Sequence, residues 1–268
     1  MTSSIRYGYA DTSAGQVHYR EAGAGPAVIL LHETPLSGAT YEFALPSLAP
    51  HVRAIAPDIP GYGSSPPPDE PLSIPEYARR IGLMFDALGL ERVALVGGHT
   101  GAAVALQIAA DLPDRVASVI ALGSPLFTKE QGDAMLERTD LGYRVAKDGS
   151  HFDAAGKYIA RFLGPDASEE YYDVVTRAFI QAGERFDWAF KAIFTFDFHA
   201  LLPQVPCLTL FLVTEGDFLR SKNEESVALT PKGEGKVLDL PHGELYVRYP
   251  ETFRDEVLSY WRRTGYIP

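Results

Sequence analysis

The histidine at position 99 lies in a glycine-rich segment, residues 97–101, that directly follows the apolar run 93–96. Glycines on both sides of an ionisable residue are typical of a sharp turn that holds a reactive side chain above a strand end. An imidazole titrates near neutrality and is therefore suited to general acid–base chemistry. A helix that begins after His99 disfavours the imidazolium form at its N-terminus. We therefore expect a neutral His99 that acts as a base or as a hydrogen-bond donor.

The segments around this turn alternate between predicted strands and predicted helices. Short apolar runs predict buried strands at 26–32, 52–58, 93–97, 116–122, 207–213 and 236–240. Apolar residues three or four positions apart predict helices, which we place at 74–89, 102–112 and 251–263. The alternating run 16–20 predicts an exposed antiparallel strand. This order favours a mostly parallel sheet, in which a site lies beyond the carboxyl ends of the strands.

A stretch of helical periodicity, residues 127–200, interrupts the alternation and is rich in aromatic residues. These aromatic side chains either form the core of a helical insertion or line an apolar pocket beneath a lid. We favour the lid, because the segment leaves one predicted strand and returns to the next. The pocket residues that we assign are Tyr158, Phe162 and Trp188. The predicted division is a core of residues 1–126 and 201–268 with a helical cap at 127–200.

Composition limits the classes of partner. The chain has 268 residues and a formal net charge of -11, which argues against nucleic acid and anionic membrane surfaces. Its single cysteine, Cys207, cannot form an internal disulfide, so nothing indicates an oxidising compartment. No run reaches the roughly 18 apolar residues of a membrane helix, and residues 1–23 lack the apolar core of a signal peptide. We expect a cytoplasmic protein that acts on a small molecule; its oligomeric state is not predictable from composition.

The order of these segments resembles the α/β-hydrolase superfamily along nearly the whole chain. Residues 28–35 resemble its oxyanion loop, and residues 58–65 resemble its Asp-x-x-Gly-x-Gly-x-Ser turn. Residues 112–116 are also similar to a segment common among its members. The resemblance implies an α/β fold with a mostly parallel, eight-stranded type of sheet, flanking helices and an inserted helical cap. It also implies an acid role for Asp217, whose alternative is a turn residue that caps the next segment, and it places His242 near the catalytic histidine turn.

Three positions depart from the family pattern. His99 stands where the family carries its nucleophile. Thr100 would take that role only if the turn slipped by one residue, which the flanking segments disfavour. Glu33 replaces a glycine of the oxyanion loop, and it points either inward, where it pairs with His99 or takes a proton itself, or outward into solvent. The spacing from His242 to Pro250 is one residue longer than the family pattern, so His242 either reaches the site or is displaced.

Three functions are consistent with an imidazole at the nucleophile position. The first, which we favour, is proton transfer α to a carbonyl without a covalent intermediate, as in an isomerase, epimerase or lyase. In this function His99, with Glu33 or His242, moves the proton, and backbone N–H groups of Thr34 and Thr100 stabilise an enolate-like oxygen. The second is hydrolysis of an ester, amide, epoxide or carbon–carbon bond by histidine-activated water. The third is a non-catalytic, ligand-binding protein.

The sequence also bears on ligands. The histidines lack the short spacing of metal ligands, such as His-x-x-x-His, and residues 97–101 lack the Gly-x-Gly-x-x-Gly spacing of a dinucleotide-binding turn. We therefore expect no metal and no cofactor. The aromatic cap favours an apolar or peptide-like organic substrate. Four basic residues of the cap either form solvated helix faces or meet a substrate carboxylate; they are Arg161, Arg177, Arg185 and Lys191.

Overall fold

A computed structural model describes residues 4–139 and 143–268, and these residues form one eight-stranded sheet flanked by helices. The strands are β1 (Arg6–Thr12), β2 (Gly15–Ala22), β3 (Ala27–Leu31), β4 (Arg53–Pro57), β5 (Val93–Gly98), β6 (Val116–Leu122), β7 (Leu208–Thr214) and β8 (Gly233–Leu238). The helices are α1 (Leu45–Leu48), α2 (Ile74–Ala87), α3 (Thr100–Asp111), α4 (Lys129–Thr139), α5 (Ser150–Leu163), α6 (Glu169–Ala182), α7 (Trp188–Phe194), α8 (Phe198–Leu201), α9 (Asn223–Leu229), α10 (Leu245–Arg248) and α11 (Pro250–Arg263).

The strand order in the sheet is β1-β2-β4-β3-β5-β6-β7-β8. The pairs β1–β2 and β2–β4 are antiparallel, and every pair from β4 to β8 is parallel. The predicted α/β-hydrolase fold class is therefore confirmed. Strand β3 is buried along its whole length, as its unbroken apolar sequence predicts for a strand covered on both faces.

The register of the parallel strands brings their ends together. Leu31 at the end of β3 lies beside Gly97, and Gly98 at the end of β5 lies beside Leu122 at the end of β6. Leu122 in turn lies beside Leu212 of β7. The segments that follow these strands therefore leave the sheet at one edge, and this is where the predicted site residues meet.

The N-terminal strands differ from the prediction. The run at 16–20 lies within β2, as predicted, but β2 is largely buried rather than exposed. The reason is that β2 is not an edge strand. It pairs with β4 on one side and, on the other side, with β1, which the sequence pattern did not indicate. The large apolar side chains exposed at this edge are those of Tyr7 and Tyr9 on β1.

Helices α4 to α8 lie between β6 and β7, in the stretch for which a cap is predicted. Several of their aromatic rings pack against one another: the ring centroids of Phe179 and Phe186 are 5.2 Å apart, and those of Tyr158 and Phe179 are 5.3 Å apart. These side chains therefore form a core for the helices, which is one of the two roles that the sequence allows for them, the other being the lining of a pocket. Across the described part of the chain, no helix combines the length and apolar character that crossing a membrane requires.

Candidate active site

The turn between β5 and α3 holds His99 in an unusual backbone conformation, with φ 43° and ψ -100°. A positive φ is rare for a residue with a Cβ, and it marks a strained turn of the kind that presents a catalytic side chain. A Cβ on Gly97 would meet the backbone of Gly101, and a Cβ on Gly101 would meet the carbonyl of Leu31. The two glycines thus let β5, α3 and β3 approach closely. Thr100 begins the helix, so the turn has not slipped by one residue.

The imidazole of His99 lies between two carboxylates. Its Nδ1 is 2.6 Å from Oε2 of Glu33, and its Nε2 is 3.0 Å from Oδ2 of Asp217. Both carboxylate side chains are buried, whereas the imidazole is 17% exposed. Glu33 therefore points inward, which was one of its two predicted orientations. We call these three residues the Glu33–His99–Asp217 cluster.

The two carboxylates decide the protonation state of His99. Burial lowers its pKa, but the charges of Asp217 and Glu33 and their hydrogen bonds outweigh burial and raise the pKa well above its ordinary value of 6.5. His99 is therefore an imidazolium that donates from both nitrogens, and the prediction of a neutral ring is wrong. A helix N-terminus carries about half a unit charge, which is too little to oppose two full charges at hydrogen-bond distance.

The carboxylates are themselves held in place. The hydroxyl of Tyr246 donates to Oε1 of Glu33 over 3.2 Å, and the Tyr246 ring stacks on that of Tyr41 at 4.2 Å between centroids. The backbone N–H of Leu219 donates to Oδ1 of Asp217 over 2.7 Å. Burial raises the pKa of Asp217, but His99 and this N–H together lower it, so the carboxyl is ionised. Tyr246 was not predicted, because its segment carries no catalytic motif.

Gly123, directly after β6, provides the space that the His99–Asp217 pair occupies. Its φ is +69°, and a Cβ built on it would lie 2.6 Å from Cδ2 of His99 and 3.0 Å from Oδ2 of Asp217. Any larger residue would therefore push the imidazole away from the carboxylate. Gly123 was also missed in the sequence, where it appeared only as the end of an apolar run.

His242 does not join the cluster. Its Nε2 is 3.8 Å from Oδ2 of Asp166, and Asp217 accepts its hydrogen bond from His99 instead. Of the two positions that the sequence left open for His242, the structure shows it displaced from Asp217, and a catalytic role for it stays a prediction. The physical reason lies in Gly243, since a Cβ built there would be 3.1 Å from Oδ2 of Asp217. The additional residue before Pro250 thus brings a glycine, rather than the histidine, to the carboxylate.

Two connected cavities adjoin the cluster, and His99, Tyr158 and Phe162 line both. The inner chamber, of about 240 Å³, is lined by Glu33 and by apolar side chains that include Phe127, Phe186, Phe190, Ile193 and Phe194. The outer chamber, of about 590 Å³, is lined by Asp217, His242 and three arginines, Arg138, Arg161 and Arg248. The site therefore combines an apolar compartment with a charged one.

Trp188 does not line either chamber, although it was predicted to do so. It begins α7, and the chamber is lined by Phe190, Ile193 and Phe194 of the same helix. A residue two positions before Phe190 is rotated by about 200° around the helix axis. Trp188 therefore lies on the opposite side of α7 from these lining residues.

Thr34 and Thr100, the predicted backbone donors, both line the inner chamber beside His99. Thr100 is the first residue of α3, and the N–H of a first helical residue has no partner within its helix. This N–H and the positive end of the helix favour a negatively charged oxygen at the same point. The oxyanion role of both residues stays a prediction.

The charge state of His99 makes the stability of the fold dependent on pH. Because its pKa is raised, its contribution is fully present below pH 6.5 and is lost as the pH rises through the raised pKa. The pKa of Asp217 is lowered, so its contribution is present above pH 3.8 and is lost as the pH falls through the lowered pKa. We expect the alkaline loss of unfolding free energy, measured by urea denaturation, to be smaller in His99→Gln.

The matched control for this prediction is His199→Gln, which removes an exposed imidazole that is 3.2 Å from Glu225. Only the difference between wild type and each variant is compared, because tyrosines and lysines also titrate at alkaline pH. Equal alkaline slopes for wild type and His99→Gln would show that the imidazolium does not stabilise the fold.

Comparisons with known proteins agree with this fold. The family profile described as alpha/beta hydrolase fold matches residues 26–163. Haloalkane dehalogenase 2 of Mycobacterium tuberculosis (strain ATCC 25618 / H37Rv) is 36% identical over 118 residues, which are 44% of this chain and 41% of that protein. An epoxide hydrolase of Caballeronia sordidicola is 34% identical over 181 residues, which are 65% of this chain and 52% of that protein.

The matches to these curated relatives thus span about half of the relatives' length or less. Among solved structures, a hydrolase from Pseudomonas aeruginosa PA01 superposes with a TM-score of 0.80 at 22% identity. That superposition covers 95% of this chain and 98% of the other. At this level of identity the likeness shows the fold alone, and the reaction has to be argued from the site.

Proposed function

Because the chain belongs to the alpha/beta hydrolase fold family, we propose that it is a hydrolase in which the Glu33–His99–Asp217 cluster activates water. The observation that supports this most strongly is the pair of contacts at the ring of His99, 2.6 Å to Glu33 and 3.0 Å to Asp217. A ring that donates from both nitrogens has no lone pair with which to attack carbon. The nucleophile in this proposal is therefore a water molecule, and no covalent intermediate forms on His99.

Glu33 is the base in this proposal. It lines the inner chamber together with Thr34 and Thr100, whose N–H groups are the proposed donors to the oxygen that gains negative charge. Burial raises the pKa of Asp217, but the imidazolium and the N–H of Leu219 lower it overall, so Asp217 is not the base in this proposal. Asp217 instead holds the imidazolium ring in place.

The reaction adds water across one bond of the substrate. Glu33 takes one proton from water as the water oxygen bonds to the electrophilic carbon. The charged His99 gives one proton to the oxygen that leaves that carbon, on the side of the outer chamber. The cluster gains one proton and loses one, so its total charge is unchanged, and proton exchange with solvent water then returns Glu33 to the carboxylate and His99 to the imidazolium.

Esters and epoxides are the substrates that this mechanism fits best, since each releases an oxygen that needs a proton. An epoxide hydrolase is among the relatives, which supports the second of these classes. The apolar lining of the inner chamber favours an aromatic or aliphatic group on the carbon that water attacks. In this proposal α4 to α8 act as the lid that encloses it.

The first test is hydrolysis of p-nitrophenyl esters and of styrene oxide by wild type, His99→Gln and His99→Ser. We expect wild type to hydrolyse at least one substrate and both variants to lose the activity, because each removes the acid. We expect no gain of esterase activity in His99→Ser, since no second imidazole contacts Asp217 to activate the serine. His199→Gln, which changes an exposed histidine, is expected to retain wild-type rates.

Two outcomes contradict this proposal. If His99→Gln hydrolyses the substrates at the wild-type rate, the cluster is not the catalytic group. If wild type is inert towards all of them while His99→Ser gains activity, the hydrolytic machinery is present but residue 99 has another task.

Proton transfer α to a carbonyl, the function favoured from sequence, is the second candidate. The observation in its favour is that two carboxylates flank one imidazolium, which places bases and an acid together without a nucleophile. The names of two relatives favour hydrolysis, since one is a haloalkane dehalogenase and the other is an epoxide hydrolase. Exchange of an α-hydrogen for deuterium in a panel of aryl ketones, without net hydrolysis, would favour this candidate.

A further inference from the structure

The outer chamber contains positive charge that its own walls do not neutralise. Of its three arginines, Arg248 is neutralised by Glu244, whose Oε2 lies 2.8 Å from the Arg248 Nε. The Nη2 of Arg248 also donates to the carbonyl of Leu163 over 2.7 Å. Arg138 on α4 and Arg161 on α5 form no ion pair within the described residues. The negative charge of Asp217, on the same wall, is already paired with His99.

Other basic residues on the same group of helices behave differently. Lys129 pairs with Asp133 over 2.7 Å on α4, and Lys157 pairs with Asp153 over 2.6 Å on α5. Arg177 pairs with Asp173 on α6 in the same way. These side chains each have a carboxylate one helical turn away, so they form ordinary solvated helix faces. Among the described residues, Arg138 and Arg161 thus differ from these neighbours because their exposed side chains line a cavity and have no acidic partner.

The positive charge of Arg138 and Arg161 also contrasts with the net negative charge of the protein. The chain carries a formal net charge of -11, and two arginines that have no acidic partner among the described residues line the outer chamber beside His99. In an otherwise acidic protein, such a cavity attracts anions and repels neutralising cations. Guanidinium groups also have the planar donor geometry that matches a carboxylate.

We propose that the substrate of this site is an amphiphilic organic carboxylate. Its apolar end lies in the inner chamber, its reacting bond lies at His99, and its carboxylate lies in the outer chamber between Arg138 and Arg161. Arg138 lines both chambers, so the carboxylate is separated from the apolar group by only a short spacer. This inference rests on the proposed function in taking the bound anion to be the molecule that is hydrolysed.

Binding of two matched probes tests the inference without any turnover. The probes are 4-phenylbutyrate and 4-phenyl-1-butanol, which differ only in the carboxylate, and their Kd values are measured by isothermal titration calorimetry. We expect wild type to bind the carboxylate about tenfold more tightly than the alcohol. Arg138→Gln and Arg161→Gln are each expected to weaken carboxylate binding about threefold, and the double variant is expected to lose the preference.

Lys129→Gln is the matched control for Arg138 on α4, and Lys157→Gln is the matched control for Arg161 on α5. Each removes one positive charge from the same helix as its arginine, at a position outside the chambers. We expect them to change the Kd of either probe less than about twofold, because exposed charges at a distance are screened by salt. The alcohol also reports on folding: an arginine variant that binds it with the wild-type Kd has kept the inner chamber intact.

Three results would overturn the inference: equal Kd values for the two probes in wild type, equal losses in the lysine and arginine variants, or no binding of either probe. The proposed hydrolysis is separable from it. A protein that prefers the carboxylate but hydrolyses none of the ester and epoxide panel retains this inference and contradicts the reaction. A protein that hydrolyses the panel but binds both probes equally retains the proposed reaction and contradicts this inference.

Discussion

Replacing Glu33 with glutamine is expected to lower kcat for hydrolysis by about 100- to 10,000-fold, the range that a positioned general base contributes. Glutamine keeps the size of the side chain, and its carbonyl oxygen can still accept the hydrogen bond from Nδ1 of His99, now 2.6 Å from the carboxylate. What the variant loses is the negative charge and the ability to take a proton from water. KM is expected to change little, because the inner chamber keeps its shape.

The same variant makes a second, spectroscopic prediction. The charge of Glu33 contributes to the raised pKa of His99, so its removal lowers that pKa towards the ordinary value. An NMR titration of the His99 ring in wild type and Glu33→Gln measures the shift directly. A residue that merely supported the fold would lower the activity of the variant without moving the titration of His99 in this direction.

Glu91→Gln is the matched control, since it makes the same chemical change at an exposed side chain away from the chambers. Glu33→Asp keeps the charge but shortens the side chain, and partial activity in it would separate loss of the base from loss of the fold. Wild-type kcat in a correctly folded Glu33→Gln protein would remove Glu33 from the mechanism.

Much of this site was accessible from the sequence because its backbone has strong local signals. The glycines around His99 predicted a turn beyond a strand end, and the turn is there, with the φ of 43° that the close approach of β3, β5 and α3 imposes. The apolar runs fixed which segments form the parallel strands. Since such strands end at one edge of a sheet, the order of elements places residues near 33, 99 and 217 at that edge, and the resemblance to the hydrolase superfamily supplied their expected roles.

The protonation state of His99 was not accessible in the same way. The sequence shows that a helix follows the histidine, but it does not show how far the ring lies from carboxylates in distant segments. Whether Glu33 points inward depends on the path of one loop, and the pKa depends on distances of 2.6 Å and 3.0 Å. Charge–charge interactions vary steeply at this range, so knowing which residues lie near His99 is not enough to give its charge.

The positions of His242 and Trp188 were not accessible from the sequence for a related reason. Each residue lies in the predicted segment. A shift of one position along the chain takes His242 away from Asp217, and a rotation of about half a helical turn takes Trp188 away from the chamber. Gly243 rather than His242 lies against Asp217, and Phe190 rather than Trp188 lines the chamber. Gly123 and Tyr246 were missed because their importance comes from the neighbours that the fold brings to them.

Replacing Gly123 with alanine is expected both to destabilise the fold and to disrupt the His99–Asp217 contact. Its φ of +69° is disfavoured for alanine, which costs about 1 to 2 kcal/mol of unfolding free energy. The new Cβ would also lie 2.6 Å from Cδ2 and 2.8 Å from Nε2 of His99. Relieving that overlap adds about 1 to 3 kcal/mol of destabilisation and displaces the imidazole from Asp217.

Gly89→Ala separates these two contributions. Gly89 has a φ of +64°, close to that of Gly123, but a Cβ built on it has no neighbour within 4 Å. It should therefore show the backbone cost alone, with wild-type activity, whereas Gly123→Ala should be less stable than Gly89→Ala and should lose hydrolysis about 100-fold or more. Urea denaturation and initial rates measure the two quantities. Equal destabilisation and retained activity in both variants would mean that the His99–Asp217 contact can shift without cost, and the cluster would then not be the rigid acid–base unit on which the proposed reaction depends.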